Sequence, residues 1–181
     1  MILTQIPTEQ TTAATDLLIS ALAIASAIYL RKNGPAGLRG RLWNSVFYIL
    51  AIAALLGATV HGLVLGSMMY KFLWWGTYLA LSLLIAAFFL ATVRDLFGDE
   101  KALLLRPASG IVALGFFAYF AMAPEDFLPF ILYESAVMLF SLAAYVFLAL
   151  RNALPGSAWI AASIAVNIVA AAIQASGSVN F

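Results

Sequence analysis

Cysteine is absent from all 181 residues. Disulfide bonds, thiolate metal sites and a cysteine nucleophile are therefore excluded, and the redox compartment stays open. Histidine is reduced to a single copy, His61. Charge is scarce: Lys and Arg number 9 and Asp and Glu 8, or 9% of the chain, against roughly 25% in soluble domains. The opening MILTQIPTEQ has no basic n-region and contains Glu9, so a cleavable signal peptide is not expected and the first span should be retained. Gly-rich phosphate loops, HExxH and GxSxG are all missing, and PASG is only the start of a span.

What fills the chain is apolar sequence. Hydrophobic residues make up 65% and the mean hydropathy is +1.03, values that imply an integral membrane protein. Crossing a hydrocarbon core of about 30 Å takes roughly 20 residues of helix. Six stretches qualify, at about 11–30, 43–68, 72–93, 103–122, 127–150 and 156–177, separated by RKNGPAGLRGR, SMMYK, RDLFGDEK, APED and RNALPG. Their apolar runs are continuous rather than alternating, which favours helices over barrel strands. The expected fold class is all-α: one polytopic membrane helix bundle of six transmembrane helices over residues 1–181, without repeats or linkers.

Loop charge sets the expected orientation. Arg31, Lys32, Arg39, Arg41, Arg94, Lys101, Arg106 and Arg151 fall in loops one, three and five, and only Lys71 in the others. The positive-inside rule then puts both termini on the extracytoplasmic side. Trp43 and Trp159 would anchor the inner interface, and Tyr70, Trp74 and Trp75 the outer one. The net charge of +1 is gathered in loops and forms no patch of nucleic-acid size, so no nucleic-acid partner is expected.

Ionisable residues inside spans are costly and mark cavities or sites. Asp16, His61 and Glu134 are of this kind. At about 1.5 Å per residue they would lie about 7, 10 and 10–12 Å below the outer ends of their spans. Gln174 falls at a similar level and Asn167 deeper. Glu9, Thr12, Asp16 and Ser20 form one stripe on the first span, and Ser163, Asn167, Gln174 and Ser178 another on the sixth. Two such stripes imply two helices turned toward one interior. Ala54, Gly57 and Ala58, with the Gly62/Gly66 pair, mark close helix packing in the second span.

Glu9, Asp16, His61, Glu134, Asn167 and Gln174 are accordingly the candidate ligand-binding residues. The plainer reading is interhelical hydrogen bonding for the Ser, Thr and Asn side chains, and helix capping or dipole complementation for Glu9 in TEQTTAATD. Capping explains Asp16 poorly, because it lies beyond the first turn. In a shared pocket an Asp–His hydrogen bond would orient the imidazole and raise its basicity, with Glu134 as proton donor or acceptor. No metal is expected: one histidine and two carboxylates fall short of a usual zinc set.

TEQTTAATD, followed by LLGATVHG near the end of the second span, resembles an uncharacterised bacterial branch of the seven-span group that includes alkaline ceramidases and progestin/adiponectin-type receptors. The likeness covers about the first 65 residues. It implies a bacterial inner (cytoplasmic) membrane location and kinship with intramembrane zinc hydrolases of amide-linked lipids. That group's pattern has a serine four residues before a second-span histidine, an aspartate in the third span and a His-xxx-His pair in the seventh. Only His61 carries over. Gly57 stands at the serine position, the third span as read here has no acidic residue, and SGSVNF ends the sequence with no seventh span.

Three functions follow. The first is an outward-facing intramembrane polar pocket that binds a lipid-like or small amphipathic ligand, with hydrolase character left open. The second is a non-catalytic structural subunit of a larger membrane complex, and the third a proton-coupled transporter. Expected partners are membrane lipids, with a homo-oligomer or membrane complex as a further option. The sequence singles out no cofactor.

Overall fold

A computed structural model describes residues 2–122 and 128–175. Six helices follow one another: α1 Pro7–Asn33, α2 Gly37–Gly62, α3 Ser67–Phe97, α4 Asp99–Met122, α5 Leu128–Leu150 and α6 Ser157–Ala175. Five of them are long and apolar enough to cross a membrane, while the apolar stretch of α6, Ser157–Ile173, is shorter. The chain is thus an all-α, membrane-embedded helix bundle. Two two-residue strands, β1 Ile2–Leu3 and β2 Leu63–Val64, pair antiparallel with Leu3 opposite Leu63.

Local sequence explains where the helices stop. Pro7 opens α1, where its missing N–H costs nothing. Glu9 in the first turn and Arg31 and Lys32 in the last complement the helix dipole. The α1–α2 turn needs three glycines: Gly37 adopts φ 81°, and a Cβ on Gly34 or Gly40 would run into the Leu30 or the Pro35 carbonyl. With that turn in place α2 begins six residues earlier than the expected 43. It also ends earlier, at Gly62, because Leu63 and Val64 leave the helix to pair with Ile2 and Leu3 and the Thr4 N–H donates to the Gly62 carbonyl at 3.0 Å.

Short loops make chain neighbours pack antiparallel. Helix α1 lies on α2, α2 on α3, and α3 on both α4 and α5, while α6 packs on α5. The hub is α3, with 61% of its apolar window buried. Small residues line the first seam: Ala13, Ala23 and Ala27 of α1, and Ala51, Ala54 and Ala58 of α2, are buried. Their size lets the two backbones approach. Larger side chains fill the rest in two clusters, one around Tyr78, Ile85, Phe120, Phe130 and Val137, the other around Tyr145, Leu148, Ala161 and Ile164.

A buried carboxylate ties the helices together at the end holding the α1–α2 turn. The Asp95 side chain is 0% exposed. Its Oδ1 lies 3.0 Å from Arg39 Nε and 3.4 Å from an Arg94 guanidinium nitrogen. Its Oδ2 accepts from Trp43 Nε1 and from the Tyr145 hydroxyl, both at 3.1 Å. Arg94 Nε also donates to Asp99 at 2.7 Å, so α2, α3, α4 and α5 all meet this group. One turn earlier on α3, Thr92 donates to the Phe88 carbonyl at 3.0 Å, which leaves Ser141 as the donor in the 3.0 Å Thr92–Ser141 contact. The reading of RDLFGDEK as a loop is corrected here: α3 continues through it to Phe97, because Asp95 is paired and Gly98, at φ 91°, ends the helix.

Removing one partner of a buried ionic group strands the others without compensation. Asp95→Ala should therefore lower stability by about 3–5 kcal/mol, whereas Lys101→Ala, at an exposed position, should stay within about 0.5 kcal/mol. Thermal unfolding in detergent, followed by tryptophan fluorescence, measures both.

Candidate functional site

The other end of the bundle holds the ionisable residues of α1 and α2. Because α1 starts at Pro7 and α2 ends at Gly62, antiparallel packing brings Glu9 of the first turn level with His61 of the last. Glu9 Oε2 lies 2.6 Å from His61 Nδ1, with side-chain exposures of 40% and 25%. A carboxylate at Nδ1 fixes the tautomer with the proton on that nitrogen and leaves Nε2 as the acceptor.

Trp74 of α3 backs the imidazole edge-on, its ring centroid 5.6 Å away at an interplanar angle of 88°. From there aromatic contacts cross the bundle. Trp74 stacks on Tyr78 at 5.4 Å, Tyr78 on Phe120 at 5.2 Å, and Phe120 meets Phe130 edge-on at 5.5 Å. The imidazole is thereby fixed on one side by a carboxylate and on another by a packed aromatic chain.

Asp16 lies on the same stripe of α1 as Glu9, two turns further in, and half-buried. It faces Gly57, which stands one turn before His61 on α2. A Cβ on Gly57 would come within 2.6 Å of Asp16 Oδ2. The glycine at the position where the resembled family has serine is thus what makes room for the carboxylate. Asp16 is within electrostatic range of His61, and among the described residues it makes no hydrogen bond or ion pair. Deeper again, the buried Ser20 hydroxyl donates to the Ala51 carbonyl at 2.9 Å. Thr12 is exposed and donates to the Thr8 carbonyl of its own helix.

The six expected residues do not form one layer. Glu9, Asp16 and His61 come together on the α1–α2 seam. His61 sits in the last turn of α2 rather than about 10 Å inside it, because β1–β2 pairing ends the helix there; Asp16 lies roughly 13 Å from the start of α1 at the usual helical rise. Glu134 is half-buried on α5, which packs on α3 and α6, and no polar contact joins it to the seam among the described residues. The inward-facing stripe expected on α6 is corrected. Ala161 and Ile164 pack against Tyr145 and Leu148 and set the helix rotation, leaving Ser163 and Asn167 exposed. Ser163 donates to the Trp159 carbonyl of its own helix. The Gln174 side chain and Ser178 lie outside the described residues.

The zinc centre implied by the family resemblance does not suit this donor set. The one histidine of the chain engages Glu9, and no group of three or more His, Asp or Glu is placed to hold a metal among the described residues. The acidic residue of α3, Asp95, is 21 positions beyond Trp74, and therefore roughly 30 Å along the helix from the level of His61.

Two features of the site were not singled out from sequence: Glu9 as the partner of His61, and Gly57 as the notch for Asp16. The signal for both is the hairpin itself. Counting outward equally from the turn around Pro35 sets Glu9 beside residue 61 and Ser20 beside residue 50, one short of its partner Ala51.

The chain belongs to the family of unknown function DUF6962, whose model matches residues 11–181. No curated protein and no solved structure matches it.

Filling the notch tests the geometry of the seam. Gly57→Ala should displace the Asp16 carboxylate and cost about 1–3 kcal/mol, the usual range for overpacking. In the Asp16→Ala background the same substitution should cost clearly less. Unfolding midpoints of the two single variants and the double variant measure the difference.

Proposed function

We propose that this member of the DUF6962 family is an integral membrane protein that binds a lipid-like or small amphipathic molecule at the end of the bundle where Glu9, His61 and Asp16 meet. The observation that carries the reading is Asp16, an ionisable side chain well inside an apolar helix that makes no hydrogen bond or ion pair among the described residues. Such a residue ordinarily answers to a ligand, an ion or a proton. Two carboxylates against one imidazole make the group acidic on balance, so it favours a head group that donates hydrogen bonds or carries positive charge. The Nε2 of His61 is its one basic acceptor. Binding is better supported than hydrolysis, because Ser20, one turn beyond Asp16 on α1, is buried and committed to the Ala51 carbonyl.

The site opens outward in this reading. Eight of the nine basic residues lie at the opposite end, and the positive-inside rule assigns that end to the cytoplasm of a bacterial inner membrane. The absence of cysteine gives a clean test: K71C should react with a membrane-impermeant maleimide added to intact cells and K101C should not. The reverse pattern would invert the orientation.

For the ligand, protein purified in nanodiscs should carry a co-purifying amphipathic molecule detectable by native mass spectrometry. Asp16→Asn and His61→Ala should lose it, and Asn167→Ala should keep it. If all three variants matched the wild type and the protein came instead with stoichiometric protein partners, a structural subunit would be the correct reading.

A further inference from the structure

Ala13 and Gly62 meet near the end of the α1–α2 seam, where a Cβ on Gly62 would lie 3.2 Å from that of Ala13. Glu9, Asp16 and His61 occupy one flank of this contact. The other flank is an open groove of about 510 Å³, floored by Ala13, Ala58 and Gly62 and walled by Leu17 and Leu63. Its volume is within the range of small-molecule sites, roughly 300–1,000 Å³. None of the three ionisable residues lines it.

We propose that this groove holds one hydrocarbon chain of a membrane lipid. The chemistry of its lining selects that occupant. Two polar side chains join the lining, and both are tied back to the backbone: Gln10 Nε2 donates one of its hydrogens to the Thr4 carbonyl at 2.7 Å, and Thr59 Oγ1 donates its only one to the Leu55 carbonyl at 2.8 Å. The other seven lining residues are leucine, alanine and glycine, a mainly apolar surface that complements an alkyl chain. Both flanking helices are long and apolar enough to cross a membrane, so the groove opens sideways into acyl chains. Near its end Leu3 and Leu63, paired across β1 and β2, line the rim.

In hydrocarbon the gain comes from packing rather than from expelling water. A floor of alanine and glycine lets a chain reach the helix backbones and collect many dispersion contacts. This inference needs only that α1 and α2 span the membrane. It stands or falls separately from the head-group reading of the seam's other flank.

The test uses the full chain in nanodiscs of phosphatidylcholine bearing a photoactivatable diazirine midway along one acyl chain, with cross-linked peptides mapped by mass spectrometry. The groove predicts cross-links concentrated on the α1 and α2 peptides containing Ala14, Leu17 and Leu63, above the level at exposed Val166 of α6. Ala14 lies on the groove wall at an exposed position. Ala14→Trp, and the milder Ala14→Leu, should reduce the groove signal to the Val166 level while leaving Val166 unchanged. Even labelling of all lipid-facing helices, insensitive to both substitutions, would overturn the proposal. So would protein–protein cross-links through the groove, which would make it an interface between two copies. Asp16→Asn should leave the groove signal intact, which separates failure here from failure of the head-group site.

Discussion

Everything that gives this protein chemistry depends on how closely α1 and α2 approach. Interfaces without side-chain bulk are the usual means by which helices associate in lipid, where no hydrophobic drive separates one apolar surface from another. Here Ala13, Ala54, Gly57, Ala58 and Gly62 supply that lack of bulk. The approach is close enough for Ser20 to reach a carbonyl of the neighbouring helix, for Glu9 to reach His61, and for Asp16 to be held where a β-carbon on residue 57 would stand. A leucine anywhere along this strip would open the seam and dissolve the polar group on one flank and the groove on the other.

The seam is held in register from both ends. At one end the tight turn through Gly37 and Gly40 and the Asp95 network fix the start of α2 against α3 and α5. At the other, β1 pairs with β2 and prevents α2 from continuing. The two polar centres differ in kind. Asp95 is surrounded by donors and wholly buried, the arrangement of a structural node. Asp16 is only half-buried and has no hydrogen bond or ion pair among the described residues, and Glu9 and His61 beside it are partly open. A fully matched carboxylate has little left to offer a ligand; an unmatched one in an apolar setting does.

Much of this was readable from the chain because hydropathy and helical period are local properties. The helices, the grouping of eight basic residues toward one end, and the stripe through Glu9, Asp16 and Ser20 all follow from spacing alone. Interhelical facts were harder. Asn167 and Ser163 share a stripe, yet the rotation of α6 is set by Ala161 and Ile164 against Tyr145 and Leu148, a contact that no period within α6 encodes. The true end of α2 depends on two residues 60 positions upstream in β1. Asp95 looked like loop charge, since only the folded bundle brings Arg39, Trp43 and Tyr145 to it. Gly57 read as a packing residue, and its neighbour across the seam turned it into a notch.

Because His61 is the one histidine, its ring nitrogens can be observed without ambiguity. Solid-state NMR on lipid-embedded protein with labelled histidine and glutamate would measure the dipolar coupling between His61 Nδ1 and glutamate side-chain carboxyl carbons. The Glu9–His61 contact should give one strong coupling that disappears in Glu9→Ala. No coupling, or one that survives that substitution, would mean that α1 and α2 do not meet in this register, and the site built on their seam would be wrong.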